Sequence, residues 1–172
     1  LAYFSLVAFL PLYLQQKDIP LLTGSRMLFV MLFSGAMGGL VGGHLSDRIG
    51  RKAVIVGSLL ACSPLYYLFL NTDGLLSFFL LSLAGAALLA SFSVTVVVAQ
   101  ELISKNAAMA AGLMLGFGIG IGGMGVGLVG LLAEHTGIET AIHLLIWLPL
   151  LAGFVGLSID GKRSPAFATL ES

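Results

Sequence analysis

The sequence predicts an all-α membrane protein of six transmembrane helices, arranged as two groups of three in which the second repeats the first in inverted orientation. Three observations predict it. First, 58% of the 172 residues are apolar and only 9% charged, with a mean hydropathy of +1.07. A soluble domain carries about 25% charged residues, so these are too few to cover a water-facing surface. Second, the chain divides into six apolar runs, at 1–15, 23–46, 53–71, 75–103, 107–133 and 139–159, parted by short polar breaks. Third, the most highly charged of those breaks has an echo 87 residues further on (Gly43 to Gly130).

About 20 residues of helix cross a bilayer core, and five of the six runs are long enough. The first run is short and opens at Leu1 without a methionine, which leads us to expect that part of a span, and a preceding segment, lie outside this sequence. Gln15-Gln16-Lys17-Asp18-Ile19-Pro20 ends the first run, and Thr23 is placed to cap the second. The second and third are joined by Gly42-Gly43-His44-Leu45-Ser46-Asp47-Arg48-Ile49-Gly50-Arg51-Lys52, the third and fourth by Asn71-Thr72-Asp73-Gly74. Ser104-Lys105-Asn106 precedes the fifth and Glu134-His135-Thr136-Gly137 follows it. Pro64 and Pro149 fall inside the third and sixth runs, where a missing backbone donor kinks a helix. Residues 1–160 therefore read as a six-helix bundle with an incomplete first helix, and 161–172 as a polar tail.

Charge orients the bundle. The 47–52 and 104–106 breaks and the tail share one side, which carries Arg48, Arg51, Lys52, Lys105, Lys162 and Arg163; the other carries Lys17 and Arg26. The positive-inside rule places the first side in the cytoplasm, with both ends of the segment. Arg26 lies near a span end and reads as an interfacial anchor, with attraction of an anionic substrate as the alternative; His44 and His143 read as tolerated interfacial histidines rather than proton relays.

The echo joins Gly43-His44-Leu45-Ser46-Asp47-Arg48-Ile49-Gly50 to Gly130-Leu131-Leu132-Ala133-Glu134-His135-Thr136-Gly137, and upstream Gly35-Ala36-Met37-Gly38 to Gly122-Gly123-Met124-Gly125. Three spans separate the copies, so they face opposite sides of the membrane, the geometry of an inverted-topology repeat. Small residues recur in steps of three and four: Gly35, Gly39 and Gly42 in the second run, Gly116, Gly120, Gly123 and Gly127 in the fifth. Such stripes let helix backbones approach closely in lipid, which predicts that spans two and five pack together.

The pattern at 43–52, Gly-x-Leu-Ser-Asp-Arg-x-Gly-Arg-Lys between two spans, resembles the loop that joins the second and third helices of each half of major facilitator superfamily transporters. Phe92-Ser93-Val94-Thr95-Val96-Val97, Ala99-Gln100-Glu101-Leu102 and Ala111-Gly112-Leu113 with the glycines after it are similar to the C-terminal half of fosmidomycin-resistance-type efflux proteins. The resemblance implies one six-helix half of a major facilitator fold, working with an N-terminal half absent from this sequence. It implies proton-coupled efflux of small molecules by alternating access, in a bacterial inner membrane. Gly43, Asp47, Arg48, Gly50, Arg51 and Lys52 would form a cytoplasmic gating loop, with Glu101 facing Arg51 as a guanidinium–carboxylate latch. Asp47 would have its partner in the absent half, while Lys52 and Lys105 read as solvated charges. Tyr3, Phe9, Tyr13, Ser91, Phe92 and Thr95, on the first and fourth spans, would line a central cavity for an amphipathic substrate.

Other classes fit less well. Zero formal net charge and no clustered basic surface argue against nucleic acid. A single cysteine, Cys62, excludes disulfides and cysteine metal sites; no cofactor is expected. An intramembrane serine protease lacks its nucleophile setting. Almost no ionisable side chain lies at mid-membrane, and no carboxylate does, where a coupling one would stand out. A facilitator, an uptake transporter or a non-transporting scaffold stay open, since fold does not dictate function.

Overall fold

The structure, a computed structural model, describes residues 2–158; the tail at 161–172, with Lys162 and Arg163, lies outside the described residues. Within them run six helices: α1 (Ala2–Gln16), α2 (Leu21–Ile49), α3 (Arg51–Leu70), α4 (Leu75–Leu102), α5 (Ala107–Thr136) and α6 (Ile138–Ser158), with one 3₁₀ turn (Ser104–Asn106) before α5. All but α1 are long and apolar enough to cross a membrane.

Glycine makes two of the breaks. Gly50 (φ +95°, ψ 143°) and Gly137 (φ +90°, ψ 151°) turn the chain between two helices. Each closes the helix before it, Gly50 N–H donating to Ser46 O and Gly137 N–H to Ala133 O. Each opens the next, its own carbonyl accepting from Val54 N–H or Ala141 N–H. Every atom of one set lies 87 residues from its counterpart, so the echo in sequence is an echo in backbone. Positive φ costs a side-chain-bearing residue about 1–2 kcal/mol, which explains glycine at both points. Thr23 does not cap α2: the helix begins after Pro20, whose carbonyl accepts from Thr23 N–H and Gly24 N–H. Proline already presents helical φ at that end and leaves the side chain no capping role. Pro64 and Pro149 sit within α3 and α6, and both helices continue through them.

The helix contacts obey the repeat. Exchanging α1 with α4, α2 with α5 and α3 with α6 turns each interhelical pair into another observed pair: α2–α4 into α5–α1, α3–α4 into α6–α1, α2–α3 into α5–α6. The pair α3–α6 maps onto itself. Its two helices are joined inside the apolar core by a Ser63 Oγ bond to Ile146 O at 2.9 Å. Ser34 Oγ likewise ties α2 to α4 through Ser82 O at 2.8 Å. Hydroxyls bonded across helices are worth about 0.6–2 kcal/mol each in lipid.

The expected pairing of spans two and five is not what forms. The glycines of α2 lie against α4: a Cβ on Gly35 would strike Leu89, one on Gly39 would sit 2.8 Å from Ser93 Oγ, and one on Gly42 2.8 Å from Ala90 Cα. Gly116, Gly120, Gly123 and Gly127 of α5 meet nothing within 4 Å. They point away from the buried residues of α5, which are Ala110, Gly122, Gly125 and Ala133. The repeat gives the reason. Its offset carries Gly35 onto Gly122, which packs on Phe4, and carries Gly116 and Gly120 onto Phe29 and Phe33, on the outer face of α2. A helix as rich in glycine as α5 has a small stripe on more than one face, and spacing alone does not identify the inward one.

Candidate functional site

The charged loop is shorter than its motif. Residues 43–49 belong to the last turns of α2, Gly50 is the turn, and Arg51 and Lys52 open α3. Gly43 is half-buried with open space at its Cβ position. Asp47 and Arg48 are exposed, and among the described residues neither forms an ion pair.

Arg51 does. Its guanidinium pairs with the Glu101 carboxylate at the end of α4, both side chains about one-third exposed (29% and 35%). The bond joins the α2–α3 turn to the fourth helix at the bundle's basic end, where the sequence expects a latch. Lys52 is exposed, and it also donates from Nζ to Leu157 O at 3.0 Å, against the closing turn of α6. The reason is the carbonyl row a helix leaves unsatisfied at its C-terminus, which draws a cation within reach. Lys105 is exposed.

The opposite end carries a second polar cluster that the motif search missed. Lys17, just past α1, donates from Nζ to Leu70 O at 3.2 Å and lies 5.1 Å from the centre of the Tyr13 ring. Contact with Tyr13, and more distantly the charges of Asp73 and Glu139, raise the Lys17 pKa against an opposing effect of partial burial. Tyr13, Gln16, Lys17 and Glu139 bound a cavity of about 310 Å³. Applying the repeat offset to charged residues would have found this cluster, because Leu70 and Leu157 are equivalent positions.

The expected cavity lining is mostly interior. Phe9, Tyr13 and Ser91 are buried, Phe9 and Tyr13 within the main apolar cluster of the bundle. Tyr3 and Thr95 are half-buried, Thr95 Oγ1 bonding back to Ser91 O at 2.8 Å. Phe92 alone is substantially exposed, at 37%. The aromatics of α1 are enclosed because α1 packs on α2, α5 and α6 together. An apolar groove of about 380 Å³ lies instead between α2 and α4, with Gly35, Gly39, Leu89 and Ser93 among its walls. Glycine backbones on one side form it.

The family model of the Major Facilitator Superfamily matches residues 1–171. The chain belongs to that superfamily. A fosmidomycin resistance protein of Escherichia coli (strain K12) is 38% identical over 164 residues, 92% of this chain and 39% of the relative. An uncharacterized transporter of the superfamily from Bacillus subtilis (strain 168), YfnC, is 39% identical over 124 residues, 72% of this chain and 30% of the relative. The chain thus spans well under half the length of the curated relatives it matches. No solved structure matches at a significant level. Membership fits the architecture: an integral membrane protein whose six described helices form a three-plus-three inverted repeat, the unit of a major facilitator half.

Proposed function

We propose that this chain is the C-terminal half of a secondary-active transporter that exports small molecules, working against an N-terminal half by alternating access. The observation that carries the reading is the Arg51–Glu101 pair, which bridges a turn and a helix end at the basic side of the bundle. The basic side faces the cytoplasm of a bacterial inner membrane, from the distribution of lysine and arginine.

A pair about one-third exposed stabilises its closed state by about 1 kcal/mol or less. That suits a latch, because rocking of the halves can break it thermally. Asp47, exposed and without an ion-pair partner among the described residues, is available to the opposing half. The bare glycine face of α5 and the α2–α4 groove offer that half close approach and a surface without interlocking bulk. The described spans carry no carboxylate in mid-membrane, so the proton-coupling group belongs to the other half. Efflux of fosmidomycin, or of a molecule like it, is the first activity to assay, since one relative is a fosmidomycin resistance protein.

The test uses cells expressing the full-length protein, scored for resistance to fosmidomycin and to a panel of amphipathic drugs. Resistance that falls in Arg51→Ala and Glu101→Gln at equal membrane levels supports the reading. Full resistance in both variants overturns the latch, and no resistance to any compound overturns efflux.

A further inference from the structure

We infer that the cavity bounded by Tyr13, Gln16, Lys17 and Glu139 binds a small zwitterion, a molecule carrying an ammonium and an anionic phosphate or carboxylate on one short frame. The cavity, about 310 Å³, lies at the low end of the range for ligand pockets and suits a head group rather than a drug-sized molecule. Its walls present one cation, one anion, one amide and one phenol.

The arrangement of the two charges is the main observation. Lys17 and Glu139 line the same cavity, yet they form no ion pair within the 4 Å that would define one. Lys17 is held elsewhere, and Glu139 is favoured where it stands by the helix end. Lys17 gives one of its three donors to Leu70 O and rests against Tyr13, which leaves at least one donor uncommitted. Glu139 stands in the first turn of α6, where the helix dipole favours an anion. Opposite charges across one cavity, unpaired with each other, match a guest with the reverse order of charges, its anion on Lys17 and its ammonium on Glu139. The Tyr13 hydroxyl adds to this: it is buried and donates to no acceptor among the described residues. An anionic group beside Lys17 would supply that acceptor, where a buried donor otherwise costs about 1–3 kcal/mol.

The repeat separates this site from ordinary helix capping. Glu139 occupies the position equivalent to Lys52, which caps Leu157 O at the basic end. At the opposite end the cap on the equivalent carbonyl, Leu70 O, comes from Lys17 instead. Capping needs only the lysine, and Glu139 has no part in it. The cluster also lies at the ends of α1 and α6, at the depth of lipid head groups. A phospholipid bearing phosphate and ammonium has the required chemistry there, and so does a free phosphoamine or amino acid.

The experiment uses the full-length protein purified from mixed membranes, with retained lipids counted by native mass spectrometry. Phosphatidylethanolamine and phosphatidylglycerol are compared, and free phosphoethanolamine is added as competitor. The wild-type protein is expected to retain phosphatidylethanolamine over phosphatidylglycerol. Glu139→Gln, at an exposed position with no bond to lose, should weaken that retention about tenfold, the equivalent of 1.4 kcal/mol. Lys17→Gln should do the same, with thermal unfolding recorded because Lys17 also ties α1 to α3. Displacement of the lipid by phosphoethanolamine assigns the site to a free zwitterion, and retention against it assigns the site to the lipid; both support the inference. Equal retention of phosphatidylethanolamine by wild type and Glu139→Gln overturns it, as does wild-type retention of phosphatidylglycerol as tight as that of phosphatidylethanolamine.

Discussion

The two ends of this bundle are related by the inverted repeat, and they use the same positions for different purposes. At both ends a lysine caps an equivalent carbonyl, Lys52 on Leu157 O and Lys17 on Leu70 O, and a glycine at positive φ separates two helices. The difference lies in one pair. Arg51 and Glu101 form an ion pair at the basic end. Their equivalents, Ile138 and Leu14, are apolar: Leu14 lies within the main buried cluster and Ile138 packs against it. The shared backbone shows what three-helix packing requires. The exchanged pair is where the ends differ: an ion pair at one, buried apolar packing at the other.

Reciprocal substitutions test that difference most severely. Leu14→Glu buries a charge without a partner and is expected to cost about 3–5 kcal/mol, seen as loss of folded protein in membranes. Glu101→Leu, at a position about one-third exposed, is expected to cost about 1 kcal/mol or less in thermal unfolding. Similar costs at the two positions would break the comparison.

The shared backbone predicts a smaller and symmetric effect. Gly50→Ala and Gly137→Ala each force a side chain into positive φ and should each lower stability by about 1–2 kcal/mol. Thermal unfolding in detergent checks this, and a loss at only one of the two glycines would show that the ends do not share a turn. The smallest effect belongs to the caps. Lys17→Met and Lys52→Met should each cost about 0.3–1 kcal/mol, reduced by added salt.

Much of this was legible in the sequence. Hydropathy located the spans because lipid imposes a length and forbids unpaired charge, and the repeat was visible because glycine at positive φ has few substitutes. The Arg51–Glu101 pair could be read because Arg51 opens its span and Glu101 closes its own on the same side. What failed had a common cause, the direction a side chain faces. Gly116, Gly120, Gly123 and Gly127 form as good a stripe as Gly35, Gly39 and Gly42, but only the second set meets another helix within the described residues. Phe9 and Tyr13 have the chemistry of a substrate cavity and are enclosed by neighbours that spacing does not reveal. Lys17 and Lys52 bond to backbone carbonyls, which every residue possesses and no motif records.

A charge pair that acts as a latch in transport should tolerate exchange of its two charges but not the reversal of either one. Drug efflux is measured in cells carrying full-length protein as Arg51→Glu, Glu101→Arg or both together, at matched membrane levels. Each single variant should lose at least tenfold in efflux, and the double variant should recover substantially. A double variant no better than either single one would contradict the latch.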